Sequence, residues 1–76
     1  MKAYAFNVTF TRPDEQDARA YTVGHNVSAD TRKEAEQLLA LRNAHLTVQN
    51  VELFAVMLEN GDVVLGDENG EVVVTR

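Results

Sequence analysis

Residues 2–11 alternate between two kinds of position. Tyr4, Phe6, Val8 and Phe10 fall on one side, and Ala3, Ala5, Asn7, Thr9 and Thr11 on the other. A period of two with aromatic and β-branched residues predicts a half-buried strand. Arg12-Pro13-Asp14-Glu15-Gln16-Asp17 then carries the only proline and three acids, which predicts a solvated turn. Alternation resumes from Ala18 to Val27, with Arg19, Tyr21, Val23, His25 and Val27 on one side. The two segments are expected to pair as an antiparallel hairpin.

The period changes at Ser28-Ala29-Asp30-Thr31, a helix-start signal. Thr31 and Glu34 have the spacing of a capping box, and Asp30 suits the positive end of a helix dipole. Ala35, Leu38 and Leu39 then recur at i, i+3 and i+4, with the stem of Arg42 extending the stripe by a turn. Arg32, Lys33, Glu36 and Gln37 cover the outer face, and Asn43 is expected to end the helix in the left-handed conformation. This predicts one amphipathic helix of about three turns.

The remainder reads as strands. Val51–Leu58 is almost continuously apolar, and Asn60-Gly61 predicts a two-residue hairpin turn between Glu59 and Asp62. Asp62–Gly66 pairs back, Asp67-Glu68-Asn69-Gly70 turns again, and Glu71–Thr75 forms a last strand. The predicted class is α+β in one domain spanning residues 1–76. Its order is β-β-α-β-β-β, with the helix packed on a curved antiparallel sheet. Both faces of the C-terminal strands are apolar, since Leu53, Ala55 and Met57 oppose Phe54, Val56 and Leu58. Either the sheet curls around the helix, or one face is left to a partner or a second copy.

Composition narrows this further. The formal charge is −5 over 76 residues, and all of that net charge lies after residue 45. Cations and acids cancel up to that point, whereas Glu52, Glu59, Asp62, Asp67, Glu68 and Glu71 face only Arg76 beyond it. The balance disfavours direct nucleic-acid binding and membrane-surface binding. There is no cysteine, hence no disulfide framework, thiolate zinc site or thiol nucleophile. No run approaches a membrane span or a signal peptide, so a soluble cytoplasmic protein is expected. The Asn7-Val8-Thr9 and Asn26-Val27-Ser28 sequons lie in strand-like segments and are read as chance matches.

Catalytic chemistry finds little support. His25 and His45, the only histidines, show no metal-ligand spacing, and Asp67–Gly70 lacks the alternating oxygen ligands of a calcium loop. Ser28, the only serine, sits outside any nucleophile elbow, and the four glycines form no phosphate-cradling loop. The chain is expected to be a non-enzyme without metal or cofactor. Two binding features remain. One is the helix set Arg32, Lys33, Glu36 and Arg42, as a phosphate-meeting patch or simply a solvated face. The other is the acidic turns holding Glu59, Asp62, Asp67 and Glu68, either as solubilising charge or as a rim attracted to a basic groove.

The helix segment Ser28-Ala29-Asp30-Thr31-Arg32-Lys33-Glu34-Ala35, the stretch Thr47-Val48-Gln49-Asn50-Val51-Glu52 and the turn Glu59-Asn60-Gly61-Asp62 sit in a tiny cysteine-free chain. Together they resemble the small phage-encoded anti-CRISPR proteins in which a five-stranded antiparallel sheet cradles one helix, most nearly those that bind the type I-F surveillance complex. The resemblance implies a stoichiometric inhibitor that docks on a host nucleoprotein in the cytoplasm and blocks DNA access, with Arg32 and Lys33 in the path of the nucleic acid. The alternatives are a bacterial housekeeping domain that self-associates as a homodimer through its sheet, and a weak nucleic-acid binder acting through the helix.

Overall fold

In the computed structural model, residues 1–12 and 19–66 are described in full and residues 72–74 by their backbone. The expected turn at 13–17 and the acidic turn at 67–70 lie outside the described residues. Strand β1 (Lys2–Thr11) is followed by β2 (Tyr21–Ala29), helix α1 (Arg32–Arg42), β3 (Thr47–Met57), β4 (Val63–Leu65) and a short β5 (Val72–Val74). The architecture is α+β, one helix on an antiparallel sheet. The sheet runs in the order β2-β1-β3-β4-β5, so the N-terminal strand lies inside it.

That placement dictates the connections. β2 and β3 are both antiparallel to β1 and flank it, so they run parallel to each other. Parallel neighbours of a shared strand need a crossover, and α1 supplies it. The alternation of β1 appears as strict alternation in burial. Tyr4, Phe6 and Val8 are fully buried and Phe10 nearly so, while the residues between them are half-buried. Val27, Ala29, Ala35, Leu39 and Val56 complete the core, with Tyr21, Leu46, Leu53 and Leu58 packed at its edge. Stacked rings, Tyr4 on Phe6 at 6.4 Å and Phe10 on Tyr21 at 5.7 Å between centroids, line the sheet beneath the helix.

Helix α1 begins as its sequence predicts. The Glu34 amide donates to Thr31 Oγ1 at 3.2 Å, the first arm of the capping box. The second arm is shifted by one residue, because Glu34 Oε2 accepts from the Asp30 amide at 3.4 Å. The helix end differs from expectation. Asn43 has φ −108° and ψ 17°, outside the left-handed region. Its amide and its Nδ2 both donate to the Leu39 carbonyl, at 3.2 and 2.9 Å. Side-chain capping replaces the backbone reversal, and the asparagine is buried.

Leu38 is the main correction to the expected core. It is 43% exposed, whereas Ala35 and Leu39 are buried. The helix packs on β2 along a narrow line, and Leu38 is about 100° around the axis from Leu39. It shares a flank with Arg42, which reaches the outer edge of β2 through the Asn26 carbonyl. The buried stripe is therefore Ala35, Leu39 and Asn43, one residue per turn.

Two further departures concern β3. It begins at Thr47, four residues before the apolar run, because β1 extends to Thr11 and its ladder needs partners there. The register slips twice, between the pairings of Ala5 and Phe6 and between those of Thr9 and Phe10. Phe54 and Gln49 are the residues passed over, as in β-bulges. The β3–β4 connection has a three-residue loop in place of the expected two-residue turn. The Leu58 amide donates to the Asp62 carbonyl at 2.8 Å, and the Gly61 amide to the Leu58 carbonyl at 2.9 Å. Only Gly61, at φ 93°, is left-handed; a two-residue turn of the mirror-image type would demand it of Asn60 as well.

No helix among the described residues is long and apolar enough to cross a membrane. The radius of gyration is 13.8 Å, against about 11.4 Å for a compact chain of this length. An elongated sheet only partly roofed by one helix accounts for the excess.

Candidate functional site

Three surface features follow from this geometry. The first is the uncovered apolar end of the sheet. On the face away from α1, register places Ala3 and Ala5 opposite Met57 and Ala55, and Ala55 and Met57 opposite Leu65 and Val63. Phe54, passed over at the bulge, precedes Ala55 near the same end of β3. Phe54, Met57 and Leu65 are 40%, 50% and 56% exposed, large areas to leave in water in so small a domain. Val64, on the opposite face, is buried and pairs with Val56.

The loop closing this end carries two predicted site residues. Asp62 is half-buried and held within the turn. Its amide donates to Asn60 Oδ1 at 3.0 Å, and its Oδ2 accepts from Asn60 Nδ2 at 3.2 Å. Glu59 is exposed and lies 3.5 Å from the N-terminal ammonium, which Asp30 also approaches at 3.9 Å. These exposed pairs contribute little to stability. Glu59 and Asp62, in the connection between β3 and β4, thus place negative charge at this end of the sheet. Asp67 and Glu68 lie outside the described residues.

The second feature is a cleft between α1 and β3 of about 390 Å³, floored by Val8 and Leu39. Arg32 and Glu36 form its helix side, and the exposed Val48 and Val51 form its strand side. Arg32 Nε donates to Glu36 Oε1 at 2.8 Å, so these predicted partner-binding residues answer each other across one helical turn. Lys33 stands exposed beside them.

Arg42 belongs to the third feature, at the other end of the helix. Ten residues separate it from Arg32, a rise of about 15 Å, so the helix cations do not gather into one patch. A hollow of about 620 Å³ lies there, between the last turn of α1 and the ends of β1 and β2. Arg12, His25, Arg42 and His45 line it over an apolar wall that includes Phe10 and Val23. The two histidines, twenty residues apart and unrelated by spacing, are brought together because β2 leads into the helix and the helix ends back beside β2. Sequence reasoning missed this grouping; only the β2–α1 packing creates it.

The Arg42 and Arg12 side chains are held in place. Arg42 Nη1 donates to the Asn26 carbonyl at 2.9 Å, and the Arg12 guanidinium lies 4.9 Å from the Tyr21 ring centre. No carboxylate lines the hollow among the described residues. Nor do three or more His, Asp or Glu side chains converge anywhere among them as a metal site requires. Comparison of the chain with protein-family models, curated proteins and solved structures gives no significant match.

Proposed function

We propose that the chain is a non-catalytic interaction module that docks on a host nucleoprotein and blocks nucleic-acid access, an inhibitor of the phage or mobile-element kind acting in the host cytoplasm. What supports the reading is the apolar end of the sheet, where Phe54, Met57 and Leu65 remain in water beside Glu59 and Asp62. Exposed apolar anchors beside a polar margin are the anatomy of a protein-binding surface. The negative border complements a basic partner, and surfaces that hold nucleic acid are basic. In sequence, Asp67 and Glu68 follow β4 and extend the same sign. The acids would steer encounter, while Phe54, Met57 and Leu65 supply the buried contact. Arg32, Lys33 and Glu36 would meet the partner only at the margin, and Arg42, at the far end of the helix, would lie outside it.

A titration of purified type I-F surveillance complex carrying labelled target DNA tests this reading. Added protein should displace the DNA to a stoichiometric end point. The double variant Phe54→Ser with Glu59→Lys should do so at least about tenfold less well. DNA binding that excess protein leaves unchanged would overturn the inhibitor role.

The same exposed cluster favours a second reading, a homodimer formed through the sheet. Sedimentation equilibrium at micromolar protein separates the two. A mass of twice 8.4 kDa that reverts in Phe54→Ser supports the dimer, and a monomer supports the docking module.

A further inference from the structure

We infer that the hollow at the C-terminal end of α1 binds a phosphate monoester. Four side chains that carry or can accept positive charge reach it from four places in the chain. These are Arg12 after β1, His25 on β2, Arg42 in the last helical turn and His45 in the loop to β3. Among the described residues the lining of the hollow holds no carboxylate and offers an anion the positive charge of two guanidinium groups. The negative end of the helix dipole, about half a charge, offsets only part of it.

The chemistry of the lining selects the ligand. Arginine forks match the oxygens of a phosphate, and an imidazole adds a further N–H donor. Arg42 is tied to the Asn26 carbonyl and Arg12 rests on Tyr21, so little side-chain freedom is lost when an anion arrives. A volume of about 620 Å³ exceeds what inorganic phosphate fills, and Phe10 and Val23 offer an apolar wall to an organic body. A phosphate with a carbon skeleton satisfies both halves of the lining. The same group occurs on a free nucleotide and on the 5′ end of a nucleic acid strand. This assignment is independent of the inhibitor reading, since the hollow and the Phe54–Met57–Leu65 cluster lie at opposite ends of β1.

Titration of the ¹⁵N-labelled full chain, followed by amide chemical shifts, tests the inference with AMP, adenosine, inorganic phosphate and a short oligothymidylate with and without a 5′-phosphate. AMP should shift the amides of residues 23–26 and 42–46 saturably, inorganic phosphate the same amides more weakly, and adenosine none of them. Arg42→Gln and His25→Gln should each weaken AMP about tenfold or more, Arg42→Lys by less, and Lys33→Gln not at all. The amide spectra of the variants report whether each still folds, and His45→Gln, in an exposed loop, repeats the test without touching the Asn26 bond. Tighter binding of the 5′-phosphorylated strand than of AMP assigns the site to nucleic acid ends, and the reverse assigns it to free monoesters. The inference is overturned by the absence of saturable shifts at about 10 mM of every phosphate probe. Equal response to adenosine overturns it too, as does a loss in Lys33→Gln matching that in Arg42→Gln.

Discussion

Strands β1 and β2 bury apolar side chains on one face, and α1 covers that face; strands β3 and β4 carry them on both faces, and the helix sits over neither outer surface. In the first region each large apolar side chain of β1 meets the core, and only alanines and polar residues take the other side. In the second, Val56 and Val64 are buried while their neighbours Met57 and Leu65 are exposed. One helix has a stripe wide enough for about two strands, and this sheet has more. The covered region therefore supplies stability, and the uncovered one supplies surface.

Substitutions should separate these roles. The largest effect is expected for Phe6→Ala, at the centre of the covered face, which should lose about 3–5 kcal/mol and leave a chain of this size largely unfolded. Urea denaturation measures it, and a loss below about 1 kcal/mol would mean that β1 is not the centre of the core. Next is the contrast within the helix. Leu39→Ala should cost about 2–4 kcal/mol, and the adjacent Leu38→Ala about 1 kcal/mol or less, because only the first leaves a cavity. Equal costs in thermal melts would place the helix differently on the sheet. Asn43→Ala, which removes a buried donor to the Leu39 carbonyl, should cost about 1–2 kcal/mol, and Thr31→Ala about 1 kcal/mol at the other end of the helix. Loss of helix signal by circular dichroism, parallel with the melts, checks both. The smallest effect is expected on the uncovered region, where Phe54→Ser should change stability by under about 1 kcal/mol. A larger change would show that Phe54 holds the β3 bulge together rather than facing a partner.

Much of the covered region was legible in the sequence, because local periodicity decides it. The alternation from Tyr4 to Phe10 and the Thr31–Glu34 cap are short-range patterns with short-range causes. What escaped depended on how elements meet. Whether Leu38 joins Leu39 in the core is set by the docking line of α1 on β2, which no helical spacing contains. Asn43 ends the helix through its side chain because it is buried beside Leu39, and the Asn60-Gly61 loop gains a residue because Leu58 pairs with Asp62. The excess of apolar residues in β3 and β4 was visible from the start, yet which of them stay in water required the register and its bulge at Phe54. The meeting of His25 with His45 and Arg42 is wholly a product of the crossover.

The central claim, that one region holds the fold and the other meets a partner, is tested most directly by hydrogen–deuterium exchange of the protein alone and bound to the type I-F surveillance complex. The account predicts that binding slows exchange across residues 53–66 and leaves Arg32–Arg42 unchanged. Protection confined to the helix, or no change in either region, would contradict it.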